Sequence, residues 1–355
     1  MLSVIFICTK ECVCGIDMGT EHIEERKGNV GDPTEMPEQI EEALAFPIIN
    51  IPKRLKVCIC GVGASAMAGE IMSDFADASS DVPISVVSGM DLPKWVDKDT
   101  AVIVISYAGS TLETLSLYDQ ALSRGCDIIC ITSGGKLTEN AEANGNTLIK
   151  VPKGLLPRNA LGYMLGCTAS VFEEMGICAS RTALHDLIPS LKAFRDSISD
   201  NEESNTALDI AKILNGKIPV IYSLMNLRAA AIRWKMQINE NARMIAFCGT
   251  IPEFNHNEIV GWTEDRASDE FSLIILCDDD SADVLKYMTE TLSGVLQSSG
   301  IRPYEFKARG SNDLEKNLIS IMLGDFVSLY LARMKGIYPG KIDLKHGKNG
   351  NREFS

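Results

Sequence analysis

The feature that most constrains this chain is a recurring pairing of a short, wholly apolar run with a helical stretch, joined by a turn of Gly, Ser and Thr. Val57 to Cys60 runs into Gly61-Val62-Gly63-Ala64-Ser65, and a helical stretch continues to about Phe75. Ala101 to Ile105 runs into Ser106-Tyr107-Ala108-Gly109-Ser110-Thr111, and Leu112 to Ser123 comes next as a helix. Ile84 to Val87, Ile128 to Thr132 and Thr147 to Val151 are further runs of the same kind. A strand that is apolar at consecutive positions has both faces buried, which is the condition inside a parallel sheet covered by helices on each side. The expected class is therefore α/β.

The pattern returns after a helical region from about Leu161 to Ser199. Strands are expected at Pro219 to Tyr222, Met244 to Phe247, Leu273 to Leu276 and Tyr304 to Lys307, with helices at Leu227 to Asn239, Ser281 to Ser298 and Asp313 to Lys335. The reading is two α/β halves in series. It divides the chain into a loose lead-in over 1–36, a first domain over 37–155, a helical connector over 156–200 and a second domain over 201–355. Pro37 to Phe46 reads as a short opening helix with Pro near its first turn. The stretch before Met18 has little relation to the rest of the chain, and an over-extended start is expected there.

Composition removes several classes of function. A net charge of −14 with no concentrated basic face argues against a nucleic-acid partner. No segment is read as the roughly 20 consecutive apolar residues of a membrane helix, so no membrane association is expected. Eleven cysteines, an odd number scattered through apolar runs, read as small buried hydrophobes in a reducing, cytoplasmic setting. Cys8, Cys12 and Cys14 match no familiar metal-site spacing, and no metal is expected.

In an open parallel sheet ligands bind where strands turn into helices at their carboxyl ends. Ser106, Ser110 and Thr111 bring hydroxyls to such a turn, Gly109 allows close backbone approach, and the helix beyond it offers free N–H groups. Hydroxyls and N–H groups without Lys or Arg suit a phosphate monoester, although an ordinary Ser/Thr helix cap has the same spelling. Gly61 to Ala66 fits the dinucleotide pattern G-x-G-x-x-A, but the expected acid is not at the end of the second strand, where Val87-Ser88-Gly89 stands. Ser65 then becomes available to the same phosphate. Arg158, in Pro157-Arg158-Asn159, lies beyond the last strand of the first half, where a cation could steady a developing oxyanion. In the second half Glu240 reads as a carboxylate near a helix end and His256 as a histidine between two amides in a loop.

Taken together these motifs resemble the archaeal-type bifunctional phosphoglucose/phosphomannose isomerases, built from two sugar-isomerase (SIS) domains. Gly61 to Ser65 is similar to the family's G-x-G-G-S turn and Ser106 to Thr111 to its S-Y-S-G-N-T loop. Gly134-Gly135-Lys136-Leu137, Pro157-Arg158 and Asn255-His256-Asn257-Glu258 match in the same order. The likeness runs from about Pro37 to the C-terminus. It implies two flavodoxin- or Rossmann-like SIS domains, each a parallel sheet flanked by helices, and interconversion of hexose 6-phosphates through an enediolate without a cofactor. By this resemblance Gly63, Ser65, Ser106, Ser110 and Thr111 would surround the phosphate. Glu240 would be the base, Arg158 would stabilise the enediolate, and His256 from the partner of a homodimer would open the sugar ring with Lys345 assisting. Ala108 and Ser110 depart from the family's Ser and Asn. Two other readings compete: a non-catalytic SIS-domain sugar-phosphate sensor, which would need neither Glu240 nor His256, and a dinucleotide-dependent oxidoreductase.

Overall fold

The computed structural model describes residues 35–49, 51–199, 205–264 and 269–339. A short helix, α1 (Met36–Leu44), precedes two compact units, built mainly on Glu42–Arg181 and Thr182–Gly340.

The first unit runs β1 (Val57–Cys60), α2 (Ala64–Asp77), β2 (Ile84–Val87), β3 (Ala101–Ile105), α3 (Leu112–Ser123), β4 (Asp127–Thr132), α4 (Gly135–Asn144), β5 (Thr147–Lys150) and α5 (Leu161–Met175). All five strands are parallel, in the order β2-β1-β3-β4-β5. β1 and β3 are buried at every position, which explains their unbroken apolar spelling. The core between this sheet and α3 and α4 holds Cys58, Cys60, Cys126 and Cys130 beside Val102, Val104 and Leu117. These thiols behave as small hydrophobes: burial pushes the Cys130 thiol up to about 12.

The second unit runs α6 (Ser180–Ser199), α7 (Thr206–Leu214), β6 (Ile218–Leu224), α8 (Arg228–Asn241), β7 (Phe247–Ile251), α9 (Glu258–Glu264), β8 (Phe271–Asp278), α10 (Asp283–Ser298), β9 (Tyr304–Ala308) and α11 (Asp313–Met334). Its four strands are also parallel, in the order β7-β6-β8-β9. The α/β class with two parallel, helix-flanked sheets is therefore the architecture observed. Of the helices within 156–200, α5 lies in the first unit and is buried along almost its whole length, while α6 falls almost wholly in the second.

Three local expectations need correction. The strand placed at Met244 to Phe247 begins only at Phe247, because Arg243, Met244 and Ile245 carry the chain out of α8, and Ile245 stands exposed. The helix α4 was not foreseen; its polar surface gave no apolar stripe, and only Leu137 and Ala141 are buried. Finally, α11 is long and apolar enough, by length and composition, to cross a membrane. It is the core helix of the second unit instead, with 78% of that apolar window buried.

The packing of α8 on α11 accounts for this burial. Trp234 is fully enclosed and donates its indole N–H to the Ser320 carbonyl at 2.6 Å. Its ring lies so close to α11 that a Cβ on Gly324 would stand 2.2 Å from Trp234 Cδ1. Beside it, Arg233 Nε and Nη2 donate to the two Asp325 oxygens at 2.9 Å each. Both side chains are nearly inaccessible, at 1% and 3% exposure. Burial pushes the Asp325 carboxyl up while the guanidinium pulls it back.

In the first unit, the turns at the carboxyl edge approach one another as closely as backbone allows. Gly109 has φ of 69°, and a Cβ there would lie 1.8 Å from the Gly134 carbonyl oxygen. Gly135, also at φ of 69°, would bring a Cβ within 2.3 Å of the Ala108 oxygen. Only glycine meets both demands.

These contacts set two expectations for stability. Asp325→Ala leaves a buried guanidinium without its counter-charge and should cost about 3–5 kcal/mol, read by urea or thermal unfolding. Gly109→Ala combines a disfavoured φ with a backbone collision and should cost at least about 2 kcal/mol. A Gly109→Ala protein as stable as the wild type would show that the turns are free to move apart.

Candidate active site

The order β2-β1-β3-β4-β5 reverses direction between β1 and β3. The chain leaves β1 toward β2 on one side and β3 toward β4 on the other, so a crevice opens outside their adjoining carboxyl ends. Both turns singled out in the sequence meet there. After β1, Gly61 must be small because a Cβ would lie 3.1 Å from the Ile105 carbonyl oxygen. Gly63 then adopts φ of 58° and opens α2.

Ser65, in the first turn of α2, is 8% exposed, and its hydroxyl accepts the Tyr107 N–H at 3.2 Å. Ser106 is buried, and its Oγ accepts the Gly109 N–H at 3.1 Å and lies 3.3 Å from Thr111 Oγ1. Thr111 occupies the cap position of α3, but its hydroxyl makes no hydrogen bond to that helix. The spelling of an ordinary cap is thus not used as one. Ser106 and Thr111 are thus hydrogen-bonded to each other across the turn that opens α3, and Ser65 is tied to the same turn through the Tyr107 N–H. Ser110 stands exposed at its rim and Ala108 half-buried beside it.

Residues missed in the sequence hold this group in place. Tyr107 donates its phenol to the Pro152 carbonyl at 2.8 Å and accepts the Leu155 N–H at 2.9 Å, and burial pushes its hydroxyl above the usual range. Ser133 donates through its backbone N–H and its hydroxyl to the Tyr107 carbonyl, at 2.9 and 2.7 Å. Thr132 Oγ1 donates to the Gly134 carbonyl at 2.9 Å. Lys153 also comes close, since a Cβ on Gly134 would stand 3.1 Å from its Nζ. The edge of the first sheet therefore has a lysine nearby, contrary to the expectation of hydroxyls and N–H groups alone. Its place just past β5 was the available signal.

Arg158 sits in the 3-10 turn Pro157–Asn159 and is 5% exposed. A surface arginine at a helix-opening Pro is the commoner outcome. Burial makes this one a fixed charge in a chain of net charge −14.

In the second unit Glu240 lies in the last turn of α8 and is half-buried. His256 ends the short 3-10 turn Glu253–His256 after β7 and is exposed. That loop is braced on both sides of the histidine. Asn257 donates to Glu253 Oε1 at 2.9 Å, and Tyr222 donates to the Glu258 carboxylate while its ring packs on Phe254, centroids 4.1 Å apart. Desolvation, and then the carboxylate partner, push the Tyr222 hydroxyl well up, so it stays a donor. Lys345, His22, His346 and the cysteines at 8, 12 and 14 lie outside the described residues.

Comparison with known proteins adds an independent finding. Residues 203–345 match the family model for the bacterial phospho-glucose isomerase C-terminal SIS domain. A bifunctional phosphoglucose/phosphomannose isomerase of Aquifex aeolicus is 34% identical over 284 residues, covering 80% of this chain and 86% of that protein. Its counterpart in Caldicellulosiruptor bescii is 34% identical over 330 residues, covering 88% of this chain and 96% of that one. The crystal structure of tagatose-6-phosphate ketose/aldose isomerase from Escherichia coli superposes with a TM-score of 0.62 at 15% identity, covering 89% and 90% of the two chains, which establishes likeness of fold. A third of the residues retained over nearly the whole length of such relatives leaves one assignment: this chain is an isomerase and belongs to the bifunctional phosphoglucose/phosphomannose isomerase family.

Proposed function

We propose that the substrates are hexose 6-phosphates, and that the enzyme interconverts fructose 6-phosphate with glucose 6-phosphate and mannose 6-phosphate. The observation that carries this reading is the hydroxyl group of Ser65, Ser106 and Thr111 gathered at the start of α3. Helix N–H groups and neutral hydroxyls accept a dianionic monoester without fixing the sugar beyond it. Gly63 keeps the first turn close to that point, and Ser110 supplies a further hydroxyl from the rim.

With the phosphate held, the reaction is proton transfer between C1 and C2. Glu240 is the proposed base: it removes the proton from C2 of the aldose and returns it to C1 while the O2 hydroxyl proton passes to O1, the electron pair of the broken C2–H bond having first moved onto the C1 carbonyl oxygen as the cis-enediolate forms. Arg158 is assigned to that oxygen, where a buried cation stabilises developing negative charge far more than it would in water. Use of both glucose and mannose 6-phosphates requires the returned proton to reach either face of the enediolate at C2. His256 is assigned to ring opening from the partner subunit of a homodimer, and Lys345 to the same step. No redox or metal cofactor is required by this chemistry. A sensor would have no use for Glu240 and His256, and membership of an enzyme family favours catalysis.

Incubation with fructose 6-phosphate should yield glucose 6-phosphate and mannose 6-phosphate, measured separately by coupled dehydrogenase assays. Absence of both products would end this substrate assignment. Glu240→Gln keeps the length and hydrogen bonding of the side chain but accepts no proton, and should lower kcat at least about a hundredfold. Exchange of the C2 proton of glucose 6-phosphate with deuterated solvent, monitored by NMR, should fall in parallel. Glu253→Gln and Glu258→Gln serve as controls and should lose less. Wild-type turnover by Glu240→Gln would place the base elsewhere.

A further inference from the structure

The second unit carries a cavity of about 420 Å³, widely open to solvent, that the isomerase reading does not use. It lies at the amino-terminal end of β6, between the turn after α7, the segment joining α8 to β7, and the end of α11. Its walls carry three cations, Lys217, Arg243 and Lys335, together with Ile218, Met244 and Ile245. Among the described residues lining it there is no carboxylate. In a chain of net charge −14 such a concentration of one sign is not the surface average.

The three cations are held differently. Lys335 Nζ donates to the Ala242 carbonyl at 3.0 Å, and Lys217 Nζ donates to the Asp269 carbonyl. Both ammonium groups are therefore anchored by neutral acceptors and have donors to spare. Arg243 is exposed and has no partner among the described residues.

Arg243 is also in an unusual backbone state. It lies two positions beyond the last residue of α8 and has φ of 51°, alone among the described residues other than glycine in being positive. Helices commonly leave through this left-handed conformation, and the residue found there is usually Gly, because a Cβ is disfavoured. An arginine is held at a position where glycine would be more stable. Backbone strain of this kind points to a use for the side chain.

We propose that this cavity is a second phosphate site, within the second unit, for an organic phosphate with an apolar body. The two lysines and Arg243 meet the phosphate oxygens; Ile218, Met244 and Ile245 cover the body. The volume falls in the range of small-molecule sites, roughly 300–1,000 Å³. Arg243 comes three residues after Glu240, so an anion that fixes the guanidinium also steadies the last turn of α8.

The test uses the full chain carrying Ser106→Ala and Thr111→Ala, which weakens the phosphate turns of the first unit, and phenyl phosphate as the probe in titration calorimetry. One mole should bind per chain. Adding Arg243→Gly should weaken that binding about tenfold or more, the loss expected for a charge-assisted hydrogen bond. The same substitution should leave the thermal midpoint unchanged or raised, because glycine suits the backbone there. Inorganic phosphate should bind severalfold more weakly than phenyl phosphate. The proposal is overturned if phenyl phosphate does not bind the doubly substituted chain, or binds equally with Gly at position 243. A large fall in the midpoint would remove the strain argument, and equal affinity for inorganic phosphate would remove the apolar body. None of these readouts depends on isomerase activity, so the fate of this site and that of the catalytic assignment are separate.

Discussion

The candidate active site depends on how closely three backbone turns approach one another at the carboxyl edge of the first sheet. Gly109 presses on the Gly134 carbonyl and Gly135 on the Ala108 carbonyl, both nearer than a side chain permits, and Gly61 lies tightly against the Ile105 carbonyl. That approach lets short side chains from different turns share one small volume. Ser65 reaches the Tyr107 N–H from another turn, and Ser106 meets Thr111 across its own. Tyr107, Ser133 and Thr132 then bind the turns to each other through their carbonyls. The rigidity of the group comes from backbone contact, and the hydroxyls are left with capacity to spare.

Such a construction suits an anion in a strongly acidic protein. The mean charge repels phosphate at a distance, but over a few ångströms the N–H groups at a helix start and fixed hydroxyl dipoles dominate. Arg158, buried in the turn Pro157–Asn159, is the cation proposed for the oxygen that becomes negative during reaction. Lys153 remains exposed and adds to the field without being built into the turns.

Much of this was legible in the sequence because burial on both faces of a parallel strand leaves an unbroken apolar run. β1, β3 and β4 were readable for that reason, and the rule that ligands sit at carboxyl ends led directly to Ser106 and Thr111. The failures have physical causes as well. α4 buries two side chains and therefore shows no stripe. Met244 and Ile245 are apolar but are spent on the exit from α8. The packing of Trp234 against Gly324 and the pairing of Arg233 with Asp325 join positions about ninety residues apart, which local pattern cannot reveal. The roles given to Glu240 and His256 came only from the resemblance, since a half-buried carboxylate near a helix end and an exposed histidine in a turn are ordinary in themselves.

The second sheet shows why the carboxyl-end rule did not lead to Glu240. Its order, β7-β6-β8-β9, also reverses between neighbours, here β6 and β8, so it too has a crevice at the switch point. The turns there contain no glycine: Met225-Asn226-Leu227 comes after β6 and Asp279-Asp280-Ser281-Ala282 after β8. The space is occupied by the protein's own charges. Lys316, almost inaccessible, places its Nζ 3.2 Å from Asp280, 3.5 Å from Asp313 and 3.8 Å from Asp278. Asn226 donates to Asp278 at 2.7 Å and to Asp313 at 3.1 Å, and the Ser281 N–H donates to Asp278 at 2.6 Å. Burial alone would raise the Asp278 carboxyl, yet Asn226, Ser281 and Lys316 together hold it below its usual value. The carboxylates of this network would repel a substrate anion. The same topology thus carries different chemistry: glycine and hydroxyl turns in the first unit, and a buried lysine among aspartates in the second. The proposed base Glu240 stands instead at the end of α8, and His256, proposed for ring opening, in the turn after β7.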